Sequence, residues 1–439
     1  MSTDPPGVSA GGSTYPGLMS RVLVVRRAAA AVCLGVVACL SLSMPASAAP
    51  APDFAPVSKA GPALSVPAAK LDAALLCSPS LGRTTTAPVL LVQGTGATAK
   101  DNWSWTYQPA LDKLGIAWCT IDLPEQATGD VQIAGEYVVH AIRAMHAKVS
   151  RRIAIIGQSQ GGMVPRWALR FWPDTRTMVD DLIGFAPSNH GTVLARPACT
   201  RGCPAANWQQ ADTSNFMKAL NSRQETFRGT SYTNVYTRTD EVVQPNLDTV
   251  TGSSSLRTGD GAITNVATQD ICPTNLYEHL SIGLVDPVAY ALAIDALTHE
   301  GPADPRRVPL TTCARVFHPG IDPATFVRDS SAALISYASF RPRTLAAEPA
   351  PACYTTASCP AAPRRACTSR RRFLVTVPAL RSVTATLAGR RLRVRRQLAR
   401  RVVTVDLRGR RAGVVVLRFR GRTSSGKAVT QIRRYRTCG

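Results

Sequence analysis

Acidic residues are almost absent from the last part of this chain, although basic residues are abundant there. Between Arg364 and Gly439 the sequence contains 22 arginines, one lysine and a single acid, Asp406. The first 363 residues hold 28 basic and 27 acidic side chains, so nearly all of the net charge of +23 lies in the last segment. The chain therefore divides into a near-neutral body and a very basic tail, which excludes a uniformly basic nucleic-acid binder.

Long apolar runs are absent after residue 50, so we expect no membrane-spanning helix in the body. No Cys-x-x-Cys pair accompanies a suitable histidine, and no glycine-rich stretch has the spacing of a phosphate-binding loop. Zinc and nucleotide sites are therefore not expected. Apolar residues make up 45% of the 439 positions and charged residues 18%, which excludes wholesale disorder. The length allows about two or three domains.

The first 50 residues contain a basic and then an apolar segment. Arg26 and Arg27 precede the apolar run Ala28–Leu42, and the small residues Ala46–Ala48 follow it. This order predicts a signal peptide at 1–48 with an upstream extension, and therefore a secreted, extracellular protein. An uncleaved N-terminal anchor is the alternative.

Twelve cysteines occur in the chain, and ten remain after the predicted signal peptide. An even number of cysteines in a secreted chain favours disulfides. Spacing cannot settle the connectivity of all ten. Local spacing favours two pairs, Cys199–Cys203 and Cys353–Cys359, and Cys367 and Cys438 bracket the basic tail, where a disulfide could join its first strand to its last.

Short apolar runs alternate with longer helical patterns between about residues 71 and 344. Val131–Lys148 places its apolar side chains on one helical face, and Met163–Trp172 continues as a helix. This alternation predicts an α/β fold, with a mainly parallel sheet covered by helices on both faces. The predicted strands are 87–92, 152–156, 181–185 and 234–238.

After residue 363 the apolar residues recur with a period of two, which is typical of strands. The pattern predicts a small antiparallel β-sandwich-like domain. Its six predicted strands are 373–377, 383–387, 392–394, 402–407, 414–419 and 429–432. The predicted division is a lead-in at 49–70, an α/β domain at 71–344, a Pro/Ala-rich linker at 345–363 and an Arg-rich β domain at 364–439.

A Gly-Gln-Ser-Gln-Gly pentapeptide, 157–161, lies between a predicted strand and a predicted helix. This context favours a nucleophile elbow, in which the glycines allow the sharp turn that exposes Ser159. A serine hydroxyl needs a histidine base that is oriented by a carboxylate. In this architecture the acid and then the histidine follow the serine along the chain.

Four histidines follow Ser159, and His279 is the predicted base because its loop directly precedes a helix. His190 comes too early to follow an acid-bearing strand. His299, near a helix end, is expected at the surface, and His318 lies in a loop before a proline.

Asp240 is the predicted acid, because it follows the strand 234–238 at the sheet's carboxyl edge. Glu241 is its nearest competitor and is expected to point to the opposite side. An oxyanion hole needs two backbone N–H groups, which we assign to Gln160 and Thr95. The hydroxyl of Thr95 can add a third donor.

Further motifs recur in one order over about residues 70–350. They are Leu75–Cys77, Pro88–Gly96, Gln158–Gly162, Phe185–Pro187, Gly191–Ala195, Trp208–Gln210 and Thr239–Pro245. With these motifs the chain resembles the fungal lipase B family of α/β-hydrolases and its secreted actinobacterial relatives. The resemblance implies the α/β-hydrolase fold and the same triad, Ser159, Asp240 and His279. It also implies the disulfides Cys77–Cys119, Cys272–Cys313 and Cys353–Cys359.

Two positions of the predicted substrate pocket depart from lipase B. Gln158 stands where the family has a tryptophan, and Ser188 replaces an aspartate. We expect both to line the pocket together with Gln210 and Val242. The segment Arg196–Cys203 replaces a mobile helical flap, so pocket size and chain-length preference stay open.

These residues predict a serine carboxylic-ester hydrolase, a lipase or esterase that cleaves acylglycerol or similar esters without a metal or organic cofactor. We expect a monomer. One alternative is a cutinase- or polyester-type esterase with a shallow, open site. The other is a non-catalytic protein that binds an anionic surface and carries a vestigial hydrolase domain.

The basic tail has two interpretations. Arginine fits phosphate and carboxylate geometry, so residues 364–439 could anchor the protein to an anionic cell-wall polymer or membrane surface. The alternative is a solubilising appendage whose arginines reflect a coding bias. Nucleic acid is not favoured, because Phe373, Phe419 and Tyr435 are too few for a stacking platform.

Overall fold

A computed structural model describes residues 53–359, 372–397, 400–411 and 413–437. The predicted signal peptide, the start of the lead-in, the end of the linker and the Cys367–Cys438 pair lie outside these residues. The boundaries predicted after residues 48 and 363 therefore stay predictions.

A seven-stranded sheet forms the centre of the body. Its strands are β1 (Leu75–Cys77), β2 (Val89–Val92), β3 (Trp118–Ile121), β4 (Ile153–Gln158), β5 (Val179–Phe185), β6 (Ser231–Tyr236) and β7 (Ala262–Ala267). The strand order is β1-β3-β2-β4-β5-β6-β7, with β1 antiparallel to its neighbour and all other pairs parallel. The predicted, mainly parallel sheet is confirmed.

Helices cover both faces of this sheet, as predicted. They are α1 (Ala68–Ala74), α2 (Ala99–Trp103), α3 (Tyr107–Lys113), α4 (Val131–Val149), α5 (Gln160–Phe171), α6 (Ala195–Ala198), α7 (Ala205–Gln209), α8 (Asn215–Leu220), α9 (Thr268–Ile271), α10 (His279–Leu284), α11 (Pro287–Thr298) and α12 (Phe326–Ser339). Strand β2 shows why two layers are needed. Leu90 and Val92 face the core that contains α4 and α5, whereas Val89 and Leu91 face the core that contains α3 and α11. A strand buried on both faces is apolar throughout, because each face meets a helix layer.

Strand β4 passes directly into α5, and the two approach each other closely. A Cβ atom on Gly157 would lie 2.0 Å from the carbonyl oxygen of Gly161. A Cβ atom on Gly161 would lie 2.1 Å from the carbonyl oxygen of Val92. Backbone atoms cannot yield at such distances, so the turn that carries Ser159 requires glycine on both sides.

The described parts of the lead-in and of the predicted linker pack against the body. The carboxylate of Glu136 on α4 accepts a hydrogen bond from the backbone N–H of Val66 at 2.9 Å. In the stretch 345–359, the Tyr354 hydroxyl accepts a hydrogen bond from Trp167 Nε1 at 2.9 Å. Residues 345–359 therefore pack onto the body and do not form a free spacer, because an aromatic residue anchors them there.

Four disulfides join the described cysteines. They are Cys77–Cys119, Cys199–Cys203, Cys272–Cys313 and Cys353–Cys359. The two local pairs predicted from spacing and the two long-range pairs implied by the family resemblance are all present.

The basic tail forms two antiparallel sheets. Its strands are β8 (Arg372–Thr376), β9 (Ser382–Leu387), β10 (Arg390–Leu392), β11 (Arg395–Gln397), β12 (Arg400–Asp406), β13 (Gly413–Arg422) and β14 (Ala428–Thr437). The strand orders are β10-β9-β13-β14 and β11-β12-β8, around one shared apolar core. The predicted antiparallel β domain is confirmed, but the single strand predicted at 392–394 is wrong. Two short strands flank residues 393–394, because the chain passes there from one sheet to the other.

One described helical segment, 279–298, is long and apolar enough to cross a membrane by length and composition alone. The sequence does not show this segment as one apolar run, because Asp286 and Pro287 lie within it. Most of the segment is buried within the protein, and α11 packs against β5 and β6. Core packing therefore accounts for its apolar composition.

Replacing Gly161 with alanine should disrupt the turn between β4 and α5. The added methyl group would collide with the Val92 carbonyl, and we expect a loss of at least the ~1–3 kcal/mol typical of overpacking. Thermal unfolding measures this loss. Gly82→Ala is the matched control, since its Cβ would meet nothing closer than 3.7 Å. Equal melting temperatures for both variants would contradict the close approach.

Candidate active site

Ser159 occupies the turn between β4 and α5 in a strained backbone conformation. Its φ is +56° and its ψ is −125°, a combination rarely adopted by residues other than glycine. Its N–H donates to the carbonyl oxygen of Phe185 on β5 at 2.8 Å, and its own carbonyl accepts from the N–H of Gly162 at 3.0 Å. These bonds hold the turn, so the hydroxyl projects from the carboxyl edge of the sheet.

The structure brings the three predicted catalytic side chains together. Ser159 Oγ lies 3.0 Å from His279 Nε2, and His279 Nδ1 lies 3.0 Å from the carboxylate of Asp240. All three residues are buried. The contacts join residues 120 and 39 positions apart in sequence, so only the fold could create them.

Asp240 lies in the loop after β6, where its carboxylate is held by four donors in all. Besides the imidazole, it accepts the backbone N–H groups of Val242 at 2.9 Å and Val243 at 2.7 Å. Asn246 Nδ2 donates to the other carboxylate oxygen at 3.3 Å. These donors compensate a buried negative charge and fix its direction toward His279.

The backbone of His279 is fixed on both sides of its Cα. Its N–H donates to Glu241 Oε2 at 3.2 Å, and its carbonyl oxygen accepts from Gln158 Nε2 at 3.1 Å. The expectation that Glu241 points away from the site is therefore wrong. Its side chain is long enough to return from the loop and bind the backbone of His279, while Asp240 binds the ring.

The far end of α10, the helix that begins with His279, is held by a buried histidine. His318 Nε2 donates to the carbonyl oxygen of Leu284 at 2.9 Å, and its Nδ1 accepts from the N–H of Gly320 at 3.0 Å. The imidazole stacks on the ring of Tyr290 with centroids 4.8 Å apart. His318 thus supports the helix that carries His279, and its two ring nitrogens bind Leu284 and Gly320 rather than the serine.

The other two candidate histidines are also accounted for by structural contacts. His190 Nε2 lies 2.5 Å from the carboxylate of Glu225. Burial alone would raise the pKa of Glu225, but the hydrogen bond to His190 and the charge of Arg166 lower it to about 2. His299 is half exposed beside Asp295 on α11.

The predicted oxyanion donors lie beside Ser159. Gln160 is the first residue of α5, so its N–H has no partner inside the helix. Thr95 Oγ1 accepts a hydrogen bond from Gln210 Nε2 at 3.0 Å, and Gln210 Oε1 in turn accepts from Ser188 Oγ at 2.8 Å. This chain leaves the Thr95 hydroxyl hydrogen free to point toward a developing negative charge.

A cavity of about 340 Å³ has Ser159 and His279 in its wall. The four predicted pocket residues all line it: Gln158, Ser188, Gln210 and Val242. Sequence reasoning missed Leu194, Leu280 and Tyr337, which also line it. Tyr337 lies on α12 against Gly96, where a Cβ would be 2.4 Å from the ring. No local pattern marks it, because the contact joins segments far apart in sequence.

The disulfide Cys199–Cys203 closes the segment next to this cavity. Ala195 and Ala198, on the short helix before it, line the cavity wall. A larger groove of about 1170 Å³ lies between α2 and α12 but contains none of the three catalytic candidates. No group of three metal-ligating side chains occurs within the described ranges.

His318 makes a testable contribution to acid sensitivity. Burial lowers its pKa from 6.5 to about 4. Between these values the unfolded chain binds a proton that the folded chain does not, so the free energy of unfolding falls as the pH falls. Burial raises the pKa of Asp286 to about 6, which acts in the opposite direction between about pH 6 and 4.

His318→Gln removes only the histidine contribution and keeps a donor for the Leu284 carbonyl. From pH 7 to 4.5 the variant should therefore lose about 2 kcal/mol less stability than the wild type. Denaturant unfolding at both pH values measures this difference. His299→Gln, at an exposed site, is the control. The same loss in His318→Gln and wild type would contradict the assignment.

Comparisons with known proteins identify the family of this chain. The Lipase (class 2) family matches residues 86–270. Lipase B of Pseudozyma antarctica is 35% identical over 240 residues, which cover 54% of this chain and 69% of that protein. The crystal structure of Aspergillus fumigatus lipase B superposes with a TM-score of 0.62 and 30% identity, over 70% of this chain and 77% of that one. The chain therefore belongs to the lipase B-like family of α/β-hydrolases and is an ester hydrolase.

Proposed function

We propose that this protein is a secreted lipase or esterase that cleaves acylglycerol or similar esters through Ser159, His279 and Asp240. The observation that carries the proposal is the continuous chain of contacts, 3.0 Å each, from Ser159 Oγ through the imidazole to the buried carboxylate. A serine hydroxyl becomes a nucleophile only when such a base can take its proton.

In the first half of the reaction Ser159 Oγ attacks the ester carbonyl carbon, and His279 Nε2 takes the hydroxyl proton. Asp240 accepts the hydrogen bond from Nδ1–H and stabilises the imidazolium. The bond to the leaving alcohol then breaks, and the imidazolium returns its proton to the alcohol oxygen. The product of this half is an acyl group bound to Ser159.

In the second half His279 takes a proton from water, and the resulting hydroxide equivalent attacks the acyl carbon. Collapse of the tetrahedral intermediate breaks the bond between the acyl carbon and Ser159 Oγ and releases the acid, and the imidazolium returns its proton to Ser159 Oγ. In both halves the negative oxygen is stabilised by the N–H groups of Thr95 and Gln160 and by the Thr95 hydroxyl. Glu241 and Gln158 act as positioning residues, because they bind the backbone of His279.

The pocket favours an acyl ester as substrate. Its wall combines the aliphatic side chains of Leu194, Val242 and Leu280 with a polar side formed by Ser188 and Gln210. An apolar wall suits an acyl chain, and the polar groups suit the ester carbonyl and alcohol. The relatives named lipase B support the same substrate class.

The disulfides and the leader sequence both favour secretion. Four structural disulfides are typical of an oxidising compartment, and the leader sequence at 1–48 has the pattern of a secretory signal. We therefore propose an extracellular enzyme.

Ser159→Ala should abolish hydrolysis of p-nitrophenyl esters. Loss of a serine nucleophile lowers kcat by roughly a millionfold in comparable triads. Hydrolysis of C4 and C16 esters by residues 49–439 measures the loss, and the wild-type ratio separates esterase from lipase. His299→Ala, at the surface, should retain full activity. A folded wild type without activity on any ester would favour the non-catalytic alternative.

We also propose that the basic tail holds the enzyme on an anionic surface. Coding bias acts on the whole chain, yet 22 of the 44 arginines lie in the last 76 residues. The arginine density of the tail therefore has a cause of its own.

Ending the chain after Pro363 should remove salt-sensitive retention on an anionic polymer and leave ester hydrolysis unchanged. The physical reason is the loss of a net charge of +22, from 22 arginines, one lysine and one acid, with the hydrolase body left near neutral. Elution from the polymer in a salt gradient measures retention, and ester hydrolysis is the control for folding. Retention that survives the truncation would refute the anchoring role.

A further inference from the structure

The four-stranded sheet of the tail has one apolar face and one arginine face. On β13, Val415, Leu417 and Phe419 point into the shared core. Successive strand residues point to opposite sides, so Arg418, Arg420 and Arg422 project from the outer side. These three guanidinium groups form a row with a spacing of about 7 Å along the strand.

The register of the neighbouring strands places further arginines beside this row. Arg418 lies opposite Thr386 on β9 and Ile432 on β14. Thr386 in turn lies opposite Arg391 on β10, and Val416 lies opposite Arg434 on β14. We call the resulting set the arginine face: Arg391, Arg418, Arg420, Arg422 and Arg434. All five side chains are exposed.

The arginine face has no carboxylate to balance it among the described residues of the tail. The single acid of the segment, Asp406, lies on β12 in the other sheet and pairs with Arg408 at 2.6 Å. Like charges on neighbouring strands repel one another. An external anion would relieve this repulsion, and several guanidinium groups in rows suit an anion with repeated charges.

The residues between the arginines indicate which polyanion fits. Ser382, Thr384, Thr386 and Thr430 share the outer side with the arginines and offer hydroxyl groups. Phosphodiester oxygens accept bonds from both hydroxyl and guanidinium groups. Val414 and Ile432 are the two large exposed aliphatic residues described on this face, and two such residues give apolar insertion into a bilayer little support.

A base-carrying strand is also disfavoured. Binding of single-stranded nucleic acid uses exposed aromatic rings for stacking. Phe419 is buried in the core, and Tyr435 packs edge-on against Phe373 with ring centroids 5.1 Å apart. The arginine face therefore offers charge and hydroxyl groups without a stacking surface.

We propose that the arginine face binds a linear phosphodiester polymer without bases, of the kind that a polyol phosphate chain provides. This proposal rests on the anchoring role proposed above and specifies both its surface and its ligand. The hydrolase body would thereby work while held on an insoluble phosphate-rich matrix.

The test compares two triple variants of the full chain that lose the same charge. R418Q/R420Q/R434Q removes three members of the arginine face. R372Q/R395Q/R400Q removes three arginines from the outer side of the three-stranded sheet. The probe is immobilised poly(glycerol phosphate), with binding measured over a salt series. Ester hydrolysis and melting temperature show that both variants fold.

We expect the first variant to bind at least about tenfold more weakly and the second to bind like the wild type. The slope of log K against log salt should fall by about 2 in the first variant, since each lost phosphate contact on a flexible strand contributes about 0.7. Equal weakening in both variants would overturn the arginine face but keep a general anchoring role. Absence of wild-type binding to any polyanion would overturn the anchoring role itself.

Two further probes separate the remaining ligands. Vesicles that contain anionic phospholipid and a single-stranded DNA oligonucleotide are each tested against the wild type at the same salt. Weaker binding to both than to poly(glycerol phosphate) supports the proposal. Tighter binding to the vesicles or to the oligonucleotide would overturn the choice of ligand.

Discussion

The strained turn at Ser159 is the constraint on which the rest of the active site depends. A positive φ at a non-glycine residue costs about 1–3 kcal/mol, so the surroundings must hold it. Here Gly157 lies against the start of α5 and Gly161 lies against the end of β2, so neither position tolerates a side chain. The parallel sheet on either side supplies this rigidity, because β4 is paired along both edges. The hydroxyl therefore reaches the carboxyl edge of the sheet, where the later loops bring their partners.

The histidine opposite this turn is positioned through its backbone as much as through its ring. Three separate segments contact α10: Glu241 and Gln158 bind at His279, and His318 binds at Leu284. The helix is only six residues long and could not hold its position alone. Its buried polar contacts therefore replace helix length as the source of rigidity. The same arrangement makes the free energy of unfolding depend on the protonation of His318, which binds the end of this helix.

Charge divides the molecule into a near-neutral body and a very basic tail. The body balances its charges and buries its apolar residues on both sides of a parallel sheet. The tail keeps a small apolar core between two sheets and places its arginines outward. A basic outer surface does not disturb that core, because strand alternation keeps the two sets of side chains apart. The α/β body can in this way be joined to a strongly basic module in which the charges do not disturb the apolar core.

The sequence by itself determined the α/β class, the antiparallel tail and the three catalytic candidates, because periodicity and the Gly-x-Ser-x-Gly turn are local signals. It also favoured Cys199–Cys203 from spacing, which the structure contains. Tertiary structure alone decided that Glu241 turns back to His279 and that Tyr337 closes one side of the pocket. Tertiary structure also decided that two short strands, in different sheets, stand where one strand was predicted at 392–394. These features depend on contacts between segments that are distant in sequence, and no short stretch of sequence determines such contacts.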